Sequence, residues 1–262
     1  LLGIHIADVS HYIEEGSALD IEAYNRGTSV YLIDTVAPML PHNLSNGLCS
    51  LKPNENRFAF TVLIKLNKNL IIEGYKLFKS LIVSKRRFTY EEVQKIVDSK
   101  KGDFSKELLM MNTIAKRISE KRVQEASIDF DSKEIKFILN KKRKVIDIVT
   151  KERLDSMRLV EEFMLLANQC VTEYVKHLSD KYQSPYPFIY RVHDNPDKDK
   201  LNELTTFIKQ FGYNINLKSK DEIRKLTQAV KGKPEDYIIN NLLIRSMSKA
   251  IYTTENIGHY GL

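Results

Sequence analysis

A long helical repeat of apolar residues between Glu152 and Leu178 constrains this sequence more than any other feature. Apolar side chains recur there at spacings of three and four, so they line one face of an α-helix. Such a face must pack against other elements, which means that the chain needs a core built around this helix. The residues predicted to form the face are Leu154, Met157, Val160, Met164, Ala167, Val171, Tyr174 and Leu178.

Two neighbouring carboxylates in this helix are predicted to differ in exposure. Glu161 follows Met157 by four residues and precedes Met164 by three, so it borders the predicted apolar face. Glu162 lies four residues after Arg158, where a solvent-side ion pair is expected. Because burying an unpaired carboxylate is costly, Glu161 needs either an arginine partner or a ligand. Spacing alone leaves a structural ion pair and a site residue both open for Glu161.

The rest of the pattern predicts a β-rich first third followed by helices, which is typical of an α+β fold. No Gly- or Ser-rich linker divides the sequence, so residues 1–262 are expected to form one piece of a domain. Strands are predicted over 3–7, 28–32, 58–66, 70–83, 135–139, 145–149 and 187–192, and helices from residue 17 and over 89–98, 104–126, 152–178, 197–211, 219–230 and 234–251.

Composition limits the classes of protein to which the chain can belong. It has 41 Lys and Arg against 34 Asp and Glu, a net charge of +7, so nucleic acid is a plausible partner. No apolar run approaches the roughly 18 residues of a membrane span. The two cysteines, Cys49 and Cys170, are too few for a disulfide framework, which favours a reducing, cytoplasmic setting. The sequence contains no glycine-rich phosphate loop of the kind that would indicate an organic cofactor.

Three aromatic residues stand beside charged or loop segments. Tyr31 precedes a proline-containing loop, Tyr90 follows the basic run 85–87, and Phe130 lies between two acidic residues. Aromatic faces near cations suit single-stranded nucleic acid, because each base can stack for about 1–3 kcal/mol. For any one ring taken alone, packing in the core is the favoured interpretation.

Other polar clusters point to no catalytic site by themselves. His5, Asp8, His11 and Asp20 do not have metal-ligating spacing, and a structural role is favoured for His5. The run Lys141-Lys-Arg-Lys144 falls at the tip of a predicted hairpin. Either a solvated turn or a phosphate contact explains that run better than a targeting signal.

Taken in order, several motifs resemble the catalytic domain of the RNB, or ribonuclease II-type, exoribonucleases, with the bacterial ribonuclease R branch nearest. The resemblance covers nearly the whole chain, and it is specific because long motifs recur in the right order. The matching segments are GIHIADVSHY (3–12), EGSALD (15–20), RGTSVYL (26–32), PMLP (38–41), LSNGLCSL (44–51), IDFD (128–131), LVEEFMLLAN (159–168), YRVH (190–193) and GHYGL (258–262).

The resemblance implies processive degradation of single-stranded RNA from the 3′ end to nucleoside 5′-monophosphates, with Mg²⁺ as the metal that activates water. It implies that Tyr31 stacks on the 3′-terminal bases and sets the length of the final product. It places Phe130 at the other end of the base stack and Tyr90 near the scissile end. It implies that Glu161 supports catalysis near the 3′ nucleotide. Oligomeric state stays open.

Departures from the family pattern qualify this expectation. The family's metal-binding aspartates lie upstream of the first strand, and its catalytic arginine follows the GHYGL motif. We therefore expect residues 1–262 to be the central part of an RNB domain, truncated at both ends, with no metal ligand of its own and no activity alone. The alternative is a non-catalytic RNA-binding relative that has lost the aspartates, and the upstream codons distinguish the two. A third hypothesis is a helical interaction domain. It predicts that the protein does not show salt-dependent binding to oligonucleotides.

Overall fold

A computed structural model gives the fold of the chain. The structure describes residues 1–124, 134–151, 153–217 and 219–258. Strands and helices both occur throughout these ranges, which confirms the predicted α+β class. Contacts between Cα atoms divide the chain into two compact units. The first comprises Leu1–Ala115 and Lys133–Thr172, and the second comprises Lys116–Ser132 and Glu173–Leu262.

The first unit contains a three-stranded antiparallel sheet in the order β1-β4-β5. Its strands are β1 (Leu2–Ala7), β4 (Asn56–Leu66) and β5 (Ile72–Val83). The central strand β4 is the most deeply buried, because it has a neighbour on each side. Its buried residues include Thr61, whose hydroxyl is paired on both sides. His5 Nδ1 lies 2.7 Å from Thr61 Oγ1, and Ser80 Oγ lies 2.6 Å from the same atom.

Two small hairpins complete the strands of this unit. The first consists of β2 (Val30–Tyr31) and β3 (Val36–Ala37). The second consists of β6 (Glu134–Leu139) and β7 (Val145–Lys151), as the sequence predicted. Both hairpins expose apolar side chains as well as polar ones.

Local capping signals explain where the helices of the first unit begin. The side chain of Ser17 accepts a hydrogen bond from Asp20 N and starts α1 (Ala18–Arg26). Thr89 and Glu92 form a reciprocal capping box that starts α2 (Tyr90–Ser99). The longer helices are α3 (Ser105–Gln124) and α4 (Asp155–Tyr182), and the boundary between the two units falls within both of them.

The packed face of α4 differs from the predicted one. Val160 and Met164 are exposed, although both belong to the predicted face. This prediction was wrong because α4 carries apolar residues on more than one side, and the repeat is compatible with two faces. A shift of one residue turns the face by about 100°. The buried residues are Ser156, Leu159, Glu162, Phe163, Leu166, Ala167 and Cys170.

The second unit is mainly helical. Its core is formed by α5 (Lys198–Lys209), α6 (Lys220–Val230) and α7 (Asp236–Ser246). The predicted helix to residue 251 was wrong, because α7 ends at Ser246 and β9 (Ile251–Thr253) then pairs with β8 (Tyr190–Val192). The buried core residues are Leu204, Ile208, Leu217, Ile223, Leu226, Val230, Ile239 and Leu243. In the described part of the chain, no helix is long and apolar enough to cross a membrane.

Replacing Ile64 by alanine tests the importance of β4. Ile64 is completely buried, so Ile64→Ala is expected to lower the free energy of unfolding by about 2–5 kcal/mol through the cavity that it leaves. Ile72→Ala on the partly exposed edge strand β5 is the control, with an expected loss of about 1 kcal/mol or less. Urea denaturation followed by circular dichroism measures both. Equal losses would contradict a core centred on β4.

Candidate functional site

Glu161 is held by an arginine and remains accessible. Both of its carboxylate oxygens accept a hydrogen bond from Arg153 Nη2, at 2.9 Å each. The Glu161 side chain is 42% exposed and that of Arg153 is 27% exposed. Because an exposed ion pair adds little to stability, its main physical effect is to orient the carboxylate. Glu161 therefore has the arginine partner that the sequence left open, and its carboxylate still faces solvent.

Glu162 is the buried member of the pair. It is 2% exposed, so the prediction that it lies at the surface was wrong. The reason is the position of the packed face of α4, which includes Glu162 between Leu159 and Phe163. A buried carboxylate requires compensation, and Glu162 has a polar or electrostatic partner. The two adjacent glutamates do have different environments, as predicted. However, Glu162 is the buried one and Glu161 is the accessible one.

Tyr90 lies on a helix that contacts α4 directly. It is the first residue of α2 and is 44% exposed. The Gln94 side-chain oxygen accepts a hydrogen bond from Ser156 N at 3.2 Å, which joins α2 to the first turn of α4. The helices that carry Tyr90 and Glu161 are therefore fixed to each other at this point.

The basic run before Tyr90 has a partly structural role. The guanidinium of Arg86 lies 4.6 Å from the ring centre of Phe88 and forms ion pairs with Glu92 and Asp103. These contacts anchor the loop that leads into α2. The neighbours of Arg86 in the run, Lys85 and Arg87, are exposed and precede Tyr90 by five and three residues.

Tyr31 is displayed on the β2–β3 hairpin. It is 78% exposed, so packing in the core does not explain it. Asp34, in the turn of the same hairpin, forms an ion pair of 3.4 Å with Arg143 at the tip of the β6–β7 hairpin. The fourth predicted site residue, Phe130, lies outside the described residues.

The residues near β1 form structural networks. Asp8 is buried, accepts a hydrogen bond from Ser10 Oγ at 2.7 Å, and lies 3.2 Å from Lys79 Nζ. The hydrogen bond from Ser10 holds the pKa of Asp8 below its usual value, and Lys79 acts in the same direction while burial opposes both. For His5, which contacts Thr61, burial lowers the pKa because it disfavours the charged imidazolium.

These residues do not fit a Mg²⁺ ion. Mg²⁺ needs several oxygen ligands around one point. Within residues 1–124, 134–151, 153–217 and 219–258, no group of three or more His, Cys, Asp or Glu side chains could hold a metal ion. The carboxylates of Asp8 and Glu161 are each paired with a cation instead.

Two contacts of the site had no signal in the sequence. Arg153 precedes the first residue of α4, so the spacing rule for ion pairs within a helix does not identify it as the partner of Glu161. The contact between Asp34 and Arg143 joins two hairpins that are far apart in the sequence. Only the tertiary structure brings these residues together.

Comparison with known proteins gives the family. The profile of the RNB domain matches residues 1–262. The chain belongs to the RNB family. It is 40% identical to ribonuclease R of Thermotoga maritima over 271 residues, which cover 100% of this chain and 37% of that protein. It is 34% identical to ribonuclease R of Escherichia coli K12 over 270 residues, which cover 100% of this chain and 32% of that protein.

The RNB chain thus spans about a third of the length of these curated relatives. Solved structures agree with this assignment. Mycoplasma genitalium RNase R in complex with ribose-methylated single-stranded RNA has a TM-score of 0.87 and 29% identity, over 98% of this chain and 41% of that one. Yeast Ssd1, a pseudonuclease, shares the fold with a TM-score of 0.76 and 22% identity, over 98% and 32%. The predicted resemblance to the RNB family and its ribonuclease R members is confirmed.

The depressed pKa of Asp8 predicts a specific dependence of stability on pH. A carboxyl group whose pKa is lower in the folded state stabilises the fold above its unfolded pKa, and this contribution is lost as the pH falls through the folded pKa. Asp8→Asn is therefore expected to reduce stability at pH 7. The difference from the unsubstituted protein should shrink as the pH falls below 3.8, the ordinary value.

Chemical unfolding between pH 7 and pH 3 measures this difference. Asp180→Asn, at an exposed position of α4, is the matched control and is expected to change little. A difference between Asp8→Asn and the unsubstituted protein that stays constant with pH would contradict the role assigned to Asp8.

Proposed function

We propose that the protein is an exoribonuclease that degrades single-stranded RNA processively from its 3′ end and releases nucleoside 5′-monophosphates. The observation that carries this proposal is the match of the RNB domain to every residue of the chain, together with 40% identity to a ribonuclease R. The motifs that resemble the family include those that carry Tyr31, Phe130 and Glu161.

Exposed aromatic rings support single-stranded RNA as the substrate. Tyr31 and Tyr90 both present accessible rings, and a relative of similar fold was solved with single-stranded RNA. We assign Tyr31 and Phe130 to the two ends of a stack of terminal bases and Tyr90 to the scissile end. Base stacking tolerates any sequence because every base has a flat face, which suits degradation without sequence preference.

Glu161 is the residue that we assign to catalysis, near the 3′ nucleotide. Its accessibility allows contact with a bound strand, and the hydrogen bonds from Arg153 restrict its orientation. Arg153 is therefore a positioning residue in this proposal. Orientation matters because small displacements of a catalytic group reduce rate strongly.

Mg²⁺ is the metal in this proposal, as the family resemblance implies. The described residues contain no group of three or more His, Cys, Asp or Glu side chains that could hold it. In this proposal the chain binds the strand and orients Glu161. We also propose the cytoplasm as the site of action. The two free cysteines fit a reducing compartment.

A second candidate is a non-catalytic RNA-binding protein of the same fold. Its support is the structural likeness to yeast Ssd1, a pseudonuclease, which shows that this fold does not by itself imply activity. Both candidates use the same exposed rings. The complete open reading frame distinguishes them, because only the enzyme needs aspartates upstream of the first strand.

A degradation assay tests the proposed function directly. The product of the complete open reading frame is incubated with Mg²⁺ and a single-stranded RNA labelled at its 5′ end. We expect progressive shortening to a short limit product, with nucleoside 5′-monophosphates released. Binding without any cleavage would favour the second candidate, and internal cleavage would contradict an exonuclease.

Tyr31→Ala is expected to lengthen the limit product by a few nucleotides. Loss of a stacking platform removes about 1–3 kcal/mol of binding free energy for the terminal bases. Short RNA products therefore dissociate before they are degraded further. Tyr24→Ala is the matched control, because Tyr24 is another highly exposed tyrosine of the same unit. Denaturing gels resolve the products. Identical ladders for Tyr31→Ala and Tyr24→Ala would exclude the stacking role.

Glu161→Gln is expected to lower kcat at least about tenfold, which corresponds to roughly 1.4 kcal/mol of transition-state stabilisation. The control is Glu173→Gln at an exposed position of the same helix. Glu162 is unsuitable as a control because it is buried, and its replacement is expected to lower stability as well. Equal kcat values for Glu161→Gln and Glu173→Gln would disprove the assignment of Glu161.

A further inference from the structure

The tip of the β6–β7 hairpin carries the longest uninterrupted run of cationic residues among the described residues of the first unit. Lys141, Lys142, Arg143 and Lys144 follow one another without interruption. All four side chains are exposed. Four adjacent cations repel one another, so an anionic partner lowers the free energy of this arrangement.

The backbone of this turn is fixed. The Asn140 side-chain oxygen accepts hydrogen bonds from Lys142 N at 2.9 Å and from Lys144 N at 3.1 Å. Asn140 N in turn donates to the Lys144 carbonyl oxygen at 2.9 Å. A turn that is already ordered loses less conformational entropy when its side chains bind a ligand.

The ion pair between Arg143 and Asp34 determines where these cations lie. Arg143 Nη1 is 3.4 Å from Asp34 Oδ2, and Asp34 belongs to the same hairpin as Tyr31, three residues after it. Asp34 offsets one of the four charges. The three remaining lysines belong to the same turn as Arg143, and this ion pair joins that turn to the hairpin of Tyr31, which is more exposed than Tyr90.

We propose that the β6–β7 turn binds the phosphates of the RNA strand whose terminal bases stack on Tyr31. Lys141, Lys142 and Lys144 contact the phosphodiester backbone, and Arg143 keeps the turn against the β2–β3 hairpin. This inference rests on the proposed function, because it uses the same strand. Cations next to an exposed ring suit single-stranded nucleic acid, which offers phosphates and bases together.

Salt dependence of binding tests this inference. Each phosphate contact to a single strand contributes about 0.7 to the slope of log K against log salt concentration. The variant Lys141→Gln/Lys142→Gln/Lys144→Gln is therefore expected to reduce the slope by up to about 2. Fluorescence anisotropy of a labelled oligouridylate in EDTA measures binding without cleavage. Tyr31→Ala is expected to weaken binding and to leave the slope unchanged.

The matched control removes three exposed lysines elsewhere in the first unit, as Lys100→Gln/Lys101→Gln/Lys106→Gln. It is expected to keep the slope of the unsubstituted protein. If the hairpin variant also keeps that slope, the inference is overturned while the proposed function stands. If the unsubstituted protein does not bind the oligonucleotide, the proposed function fails and the inference fails with it. Thermal unfolding confirms that both triple variants are folded before slopes are compared.

Discussion

The packing of one face of α4 is the constraint on which the site depends. When Leu159, Phe163 and Leu166 face the core, Glu162 is carried inside with them and Glu161 is turned towards the edge of that face. Adjacent residues on a helix are about 100° apart, so the two carboxylates cannot share an environment. The hydrophobic face therefore selects the accessible glutamate, and Arg153 then orients it.

Contacts between separate elements connect the residues of the proposed site in the first unit. The hydrogen bond between Gln94 and Ser156 joins the helix of Tyr90 to the helix of Glu161. The ion pair between Asp34 and Arg143 joins the hairpin of Tyr31 to the cationic turn. Each contact is weak when considered alone. Their importance lies in position, because they link elements that the local sequence does not place together.

Exposure separates the residues that we propose to bind RNA from the structural ones. Tyr31 and Tyr90 present rings that the core does not use, whereas Asp8, His5 and Thr61 are engaged inside the sheet of the first unit. The fold is shared by nucleases and by a pseudonuclease. Activity must therefore be argued from accessible side chains and from metal ligands, and the fold alone does not decide it.

The sequence by itself determined the elements whose signals are local. The capping box at Thr89, the β4–β5 hairpin and the family motifs follow from residues close together in the chain, so all could be predicted. The packed face of α4, the end of α7 and the strand β9 were predicted wrongly or missed. Each depends on a distant partner: apolar periodicity permits several helix faces, and a short strand exists only where another strand supplies its hydrogen bonds. For the same reason, only the tertiary structure decided that Glu161 is accessible, that Glu162 is buried and that Arg143 meets Asp34.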